Sequence, residues 1–237
     1  MMNQNGGGFL EQIPTVTKNL IIINALCWLA SLVMPRVGVD LVDWMGLHFP
    51  LASDFYLYQL VTYMFMHADF SHIFFNMFAV YMFGRVLESV WGPKRFLIYY
   101  VVTGIGAGII QELTWMIDLR DVLSAPQEMV NIGGGQILNK PEFYNLFVTI
   151  GASGAVFGIL LAFGMMFPNV PLYLMFIPIP IKAKYFVLLY GLIELTMGVA
   201  SFRGDSVAHF AHLGGMLFGY LLIRYWRKKG IRDGRYY

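Results

Sequence analysis

Six apolar runs, at roughly 16–34, 69–90, 95–117, 147–167, 185–201 and 206–226, divide this 237-residue chain. Each approaches the ~20 residues that an α-helix needs to cross a hydrocarbon layer about 30 Å thick. Lipid offers no hydrogen bonds to a backbone, so a spanning segment must pair its own N–H and C=O groups, and these runs are predicted to be helices. Pro35, Pro168, Pro171, Pro178 and Pro180 fall between the runs, where helix breakers belong. Composition excludes the soluble alternative. With 58% hydrophobic and 13% charged residues, against roughly 25% charged in soluble domains, the chain cannot cover a water-facing surface. An all-α polytopic membrane protein of six transmembrane helices is expected.

Lysine and arginine set the orientation. With the N-terminus inside, the inner segments carry Lys18, Arg85, Lys94, Arg95, Lys182, Lys184, Arg224, Arg227, Lys228, Lys229, Arg232 and Arg235. The outer ones carry only Arg36, Arg120, Lys140 and Arg203. This bias predicts that both termini are cytoplasmic. The organisation expected is a short cytoplasmic segment 1–15, one six-span unit 16–226 and a basic cytoplasmic tail 227–237. Met1–Gly8 lacks the basic start and small-residue cleavage site of a signal peptide, so the first run is expected to remain as a span. A net charge of +2 argues against a nucleic-acid partner, and the single cysteine, Cys27, permits no disulfide within the chain.

Two outer connections are long. Residues 35–68 are rich in aromatics (Trp44, Phe49, Phe55, Tyr56, Tyr58, Tyr63), as suits a segment at the lipid–water boundary. Residues 118–146 are more polar, and Gly133, Gly134 and Gly135 suggest a flexible turn in an ordinary connection.

Polar groups inside spans are costly and mark functional sites. All five histidines, His48, His67, His72, His209 and His212, fall in outer loops or the outer parts of spans. Gly151-Ala152-Ser153-Gly154, followed by Gly158, lies near the outer start of the fourth run. Flanking glycines would open the Ser153 hydroxyl to a substrate backbone, but the same spacing serves tight helix packing. His212, Gly215 and Gly219 share one face of the sixth run. That smooth face could press against the glycine-bearing fourth run and bring the imidazole to Ser153, or it could hold a hydrogen-bonded structural histidine. His72 and Asn76, four apart in the second run, could supply oxyanion donors or interhelical hydrogen bonds. Glu88, four after Gly84, is expected to tie loop backbone or a neighbouring helix. Glu194, mid-span in the fifth run, requires a partner or a protonated state and has no assignment from sequence.

Together His67–Asn76 (HADFSHIFFN), Gly84-x-x-x-Glu88, GASGAVFG at 151–158 and AHFAHLGGMLFG at 208–219 resemble the rhomboid family of intramembrane serine proteases, in family order and over about residues 16–226. The resemblance implies a rhomboid-like bundle in which Ser153 is the nucleophile and His212 the base, a dyad without a third acid. No aspartate is placed to serve, since Asp205 lies about two turns before His212, and His209 is out of the glycine register. His72, Asn76 and the Ser153 backbone N–H would line the oxyanion hole, Phe157 would pack on the imidazole, and Gly151 would shape the substrate-side wall. It further implies a serine endopeptidase cutting transmembrane segments of other membrane proteins near the outer face, after a small residue. The expected partners are such substrates and membrane lipids, with no cofactor, metal or nucleic acid. The first outer loop, the fifth span and the 201–206 turn resemble the family's gate and cap. A compact six-span core points to a bacterial inner (cell) membrane.

Other classes fit less well. A metalloprotease would need H-E-x-x-H, and His209-Phe-Ala-His212 lacks the glutamate. An aspartyl protease needs two intramembrane aspartates. A channel would carry polar groups through the full bilayer depth. A non-enzymatic rhomboid-like protein would typically lack the serine or histidine, and this chain keeps both.

Overall fold

The structure is a computed structural model that describes residues 12–174, 177–200 and 208–230. The polar N-terminal stretch, the 201–206 turn with Arg203 and Asp205, and the end of the basic tail lie outside the described residues.

Helices occupy each of the apolar runs: α1 (Thr15–Val33), α2 (Phe70–Trp91), α3 (Pro93–Asp118), α4 (Ser153–Met166), α5 (Ala183–Ala200) and α6 (His209–Lys228). Among the described residues, four of them (α1, α2, α3 and α5) are long and apolar enough to cross a membrane. α4 is apolar but short at 14 residues, about 21 Å at 1.5 Å per residue. α6 has the length, but its last turn carries Arg227 and Lys228.

The fourth run, expected to be helical from about 147, becomes a helix only at Ser153. Val148–Thr149 (β4) instead pair antiparallel with Leu47–His48 (β1), and Gly151 breaks the chain at φ 130°. Connections also depart from the all-α expectation. Met129–Gly133 (β2) and Gln136–Asn139 (β3) form a hairpin whose tip is Gly133–Gly135, all at positive φ. The flexible turn expected there is therefore an ordered hairpin reversal, in backbone conformations that glycine adopts without penalty. Pro171–Leu174 (β5) and Ile177–Lys182 (β6) form another. Prolines bar a helix there, and a two-stranded ladder pairs the backbone groups that remain.

The core is the junction of α3, α4 and α6, where missing side chains set the spacing. A Cβ on Gly215 of α6 would overlap the Gly154 carbonyl oxygen of α4. One on Gly154 would overlap the Ala107 side chain of α3, and one on Gly158 would meet Thr103 at 2.7 Å. Gly219 meets Tyr99 of α3 rather than α4, so the glycine face of α6 is shared between two neighbours. Two buried hydroxyls in this junction are paired: Tyr99 donates to Gly158 O at 2.8 Å and Tyr63 to Gly104 O at 2.7 Å.

At the opposite end of the bundle from Ser153, Glu88 fastens α1. Its carboxylate accepts the Val16 and Thr17 N–H groups at 2.8 and 2.7 Å and the Thr17 hydroxyl at 2.8 Å. Pro14 offers α1 no side-chain cap, so Glu88 takes that part from another helix, where a carboxylate also suits the helix dipole.

Candidate active site

Three helix starts converge at one end of the bundle. α2 begins at Asp69, whose carboxylate accepts the His72 N–H at 2.8 Å and the Ser71 hydroxyl at 2.6 Å. These bonds, the Ser71 hydroxyl first, hold the Asp69 carboxyl below its usual range. The cap fixes His72 in the first turn of α2. Its Nδ1 accepts the Ala68 N–H at 3.4 Å, which leaves Nε2 to carry the proton. His67 lies edge-on to His72, with ring centroids 4.8 Å apart. Burial, and then the neighbouring His72, lowers the His67 pKa to about 4, so it is neutral at pH 7.

α4 starts at Ser153 with no side-chain cap, so its first N–H groups remain available to an anion. Gly151 precedes it, anchored by its N–H to Tyr63 O at 2.9 Å. A Cβ there would stand 2.7 Å from His72 Nε2 and 3.6 Å from Ser153 Oγ. The missing side chain of Gly151 is the space between donor and hydroxyl.

α6 brings His212 in its first turn. Its Nε2 lies 2.7 Å from Ser153 Oγ, across 59 residues of sequence, within the reach that a general base requires. Phe157, one turn after Ser153, stacks on the imidazole at 4.2 Å and 8°. Tyr190 and Phe186 of α5 continue the near-parallel series. The structure thus gathers Ser153, His212, His72, Gly151 and Phe157, and Asn76 borders the same space. At rest Asn76 Nδ2 donates to His72 O at 2.9 Å. His209 does not face the serine; its Nδ1 is 2.7 Å from Glu194 Oε2.

Glu194, which has no assignment from sequence, joins this site. Its Oε2 also lies 2.9 Å from His212 Nδ1. The signal was a carboxylate inside an apolar run, but its partners are 15 and 18 residues away on α6, and nothing local names them.

From Ser153 a groove of about 630 Å³ extends between α2 and α5 towards β5. Phe75, Phe78 and Met82 of α2, Val156 and Leu160 of α4 and Phe186 of α5 make its walls largely apolar.

The sequence pattern of the rhomboid domain matches residues 54–229, about three quarters of the chain. The chain belongs to the rhomboid family. Among curated rhomboids, YdcA of Bacillus subtilis (strain 168), named as a candidate rhomboid protease, is 26% identical over 92% of this chain and 92% of its own length. Rhomboid protease AarA of Providencia stuartii is 26% identical over 73% of this chain and 56% of its own. Rhomboid-like protein 11 of Arabidopsis thaliana chloroplasts is 26% identical over 70% of this chain and 51% of its own. This rhomboid chain therefore spans about half the length of several relatives it matches. Membership, together with the apolar helices, makes it an integral, multi-pass membrane protein.

Proposed function

We propose that this chain is an intramembrane serine endopeptidase that cleaves transmembrane segments of other membrane proteins near the outer face through Ser153 and His212. The observation that carries this reading is the 2.7 Å approach of His212 Nε2 to Ser153 Oγ. In the reaction, His212 takes the hydroxyl proton as Ser153 Oγ attacks the scissile carbonyl. The oxyanion that forms is held by the Ser153 N–H, His72 Nε2–H and a re-aimed Asn76 amide. His212 then gives its proton to the leaving amine, and water repeats the sequence to release the acyl group. Phe157 holds the imidazole plane, and Gly151 keeps the substrate wall open. No cofactor or metal is needed for these steps.

The apolar groove between α2 and α5 supports a membrane-embedded peptide as substrate. A helix entering it must unwind to present one bond to Ser153, so glycine or proline near that bond should help. The shortness of α4 supports a hydroxyl set below the outer surface. Lysine and arginine placement supports six spans with both termini cytoplasmic, within one unit at 16–226 followed by a basic tail. Lipids would cover the exposed Leu188, Leu192 and Leu195 of α5. The end-to-end match to a bacterial relative supports a bacterial cell membrane.

The test is cleavage of a single-span reporter, with alanine before the scissile bond, by purified protein in proteoliposomes. Ser153→Ala and His212→Ala should each lose at least about 10³-fold in rate while melting like the wild type. Equal cleavage by wild type and Ser153→Ala would refute the reading.

A further inference from the structure

We propose that Glu194 is a positioning residue for the dyad, a carboxylate that keeps the resting proton of His212 on Nδ1 and stays ionised opposite the imidazolium formed during attack. The proposal rests on the proteolysis reading for its consequence in rate, but not for its geometry.

Ser153 can donate to His212 Nε2 only if that nitrogen is bare, and a neutral imidazole carries one N–H. The proton must then sit on Nδ1, and Nδ1 lies 2.9 Å from Glu194 Oε2. An ionised carboxylate can only accept, so this contact selects the tautomer that attack requires. The same oxygen lies 2.7 Å from His209 Nδ1, which supplies a second donor. Glu194 is 7% exposed, and a charge so placed persists only where donors meet it. During attack the Ser153 proton moves to Nε2, the Nδ1 proton stays where it is, and Glu194 faces a cation without accepting its proton.

The helix that carries Glu194 strengthens the assignment. Only 17% of the apolar stretch of α5 is buried against the rest of the chain, compared with 56% for that of α3. Yet this peripheral helix grips the imidazole twice. Tyr190 extends the aromatic stack on its face through Phe157, and Glu194, one turn later, meets its edge. Such a double hold fixes both the tilt and the protonation of the base.

Three proteins decide the matter: wild type, Glu194→Gln and Glu194→Asp, each in proteoliposomes with the same reporter. The glutamine side chain matches the carboxylate in shape but not in charge, and its NH2 can donate to Nδ1 and move the proton to Nε2. Glu194→Gln should lower kcat by about 10²–10⁴-fold and leave KM within a factor of about three. Glu194→Asp should recover part of kcat. The 15N spectrum of the His212 ring should show Nδ1 protonated in wild type and in Ser153→Ala, and a shift towards Nε2–H in Glu194→Gln. A Glu194→Gln protein with kcat within about two-fold of wild type, or a wild-type His212 protonated on Nε2, would overturn the proposal. Should wild type and Ser153→Ala cleave alike, the proteolysis reading fails, and the ring spectrum still decides whether Glu194 sets the tautomer.

Discussion

Glu88 and Glu194 are both carboxylates sunk among apolar helices, at opposite ends of the bundle, and both are satisfied by another helix. Their donors separate them. Glu88 receives two backbone N–H groups and one hydroxyl from the start of α1, none of which changes protonation during any reaction. Glu194 receives two imidazoles, one of them 2.7 Å from a serine hydroxyl. A buried charge given fixed donors is a fastening. One given titratable donors beside a nucleophile can set a protonation state. Burial alone would rank the two residues together, and only the partner's chemistry distinguishes them.

The contrast can be broken from the Glu194 end first. Glu194→Gln should cost about 10²–10⁴-fold in kcat with its melting temperature nearly unchanged, as read by reporter cleavage beside a thermal scan. Glu88→Ala should do the reverse. Loss of an acceptor for three donors at a helix start should destabilise by about 3 kcal/mol, measured by denaturant unfolding in micelles, while kcat per folded molecule stays close to wild type. If Glu88→Ala slowed turnover of fully folded protein, the division between fastening and chemistry would fail.

Asn76→Ala asks whether the Ser153 end of the bundle holds further groups that act on rate. It should slow cleavage by about 10²–10³-fold without abolishing it, because His72 and the Ser153 N–H remain as donors. Thr17→Val is the smallest change. It deletes one of three donors to Glu88 and should cost about 1 kcal/mol with no effect on kcat, on the same two assays.

Much of the site was legible before any coordinates. The register His212, Gly215 anticipated a face pressed against α4, and the Gly215 contact with the Gly154 carbonyl is that face. Gly219 shares the register but meets α3, because a helix among three neighbours divides one stripe between two of them. Apolar content places the start of α4 several residues too early, since it cannot distinguish a helical turn from Val148–Thr149 paired with a distant strand. Glu88 is predicted from sequence to tie backbone or a neighbouring helix, and it ties the start of α1. Glu194 stands out in sequence for its cost in an apolar run, but no local feature names its partners.

By itself the sequence determined that this chain lives in lipid and that each apolar run holds a helix, and it singled out Ser153 and His212. It could do so because hydropathy, proline placement and glycine spacing are local properties, written within a few turns of each helix. Only the tertiary structure decided which oxygen meets Nδ1 of His212, what fills the space beside Gly151, and where α1 finds its cap. Those answers depend on groups 18 or more residues apart in sequence, and a distance of that kind exists only once the helices have packed.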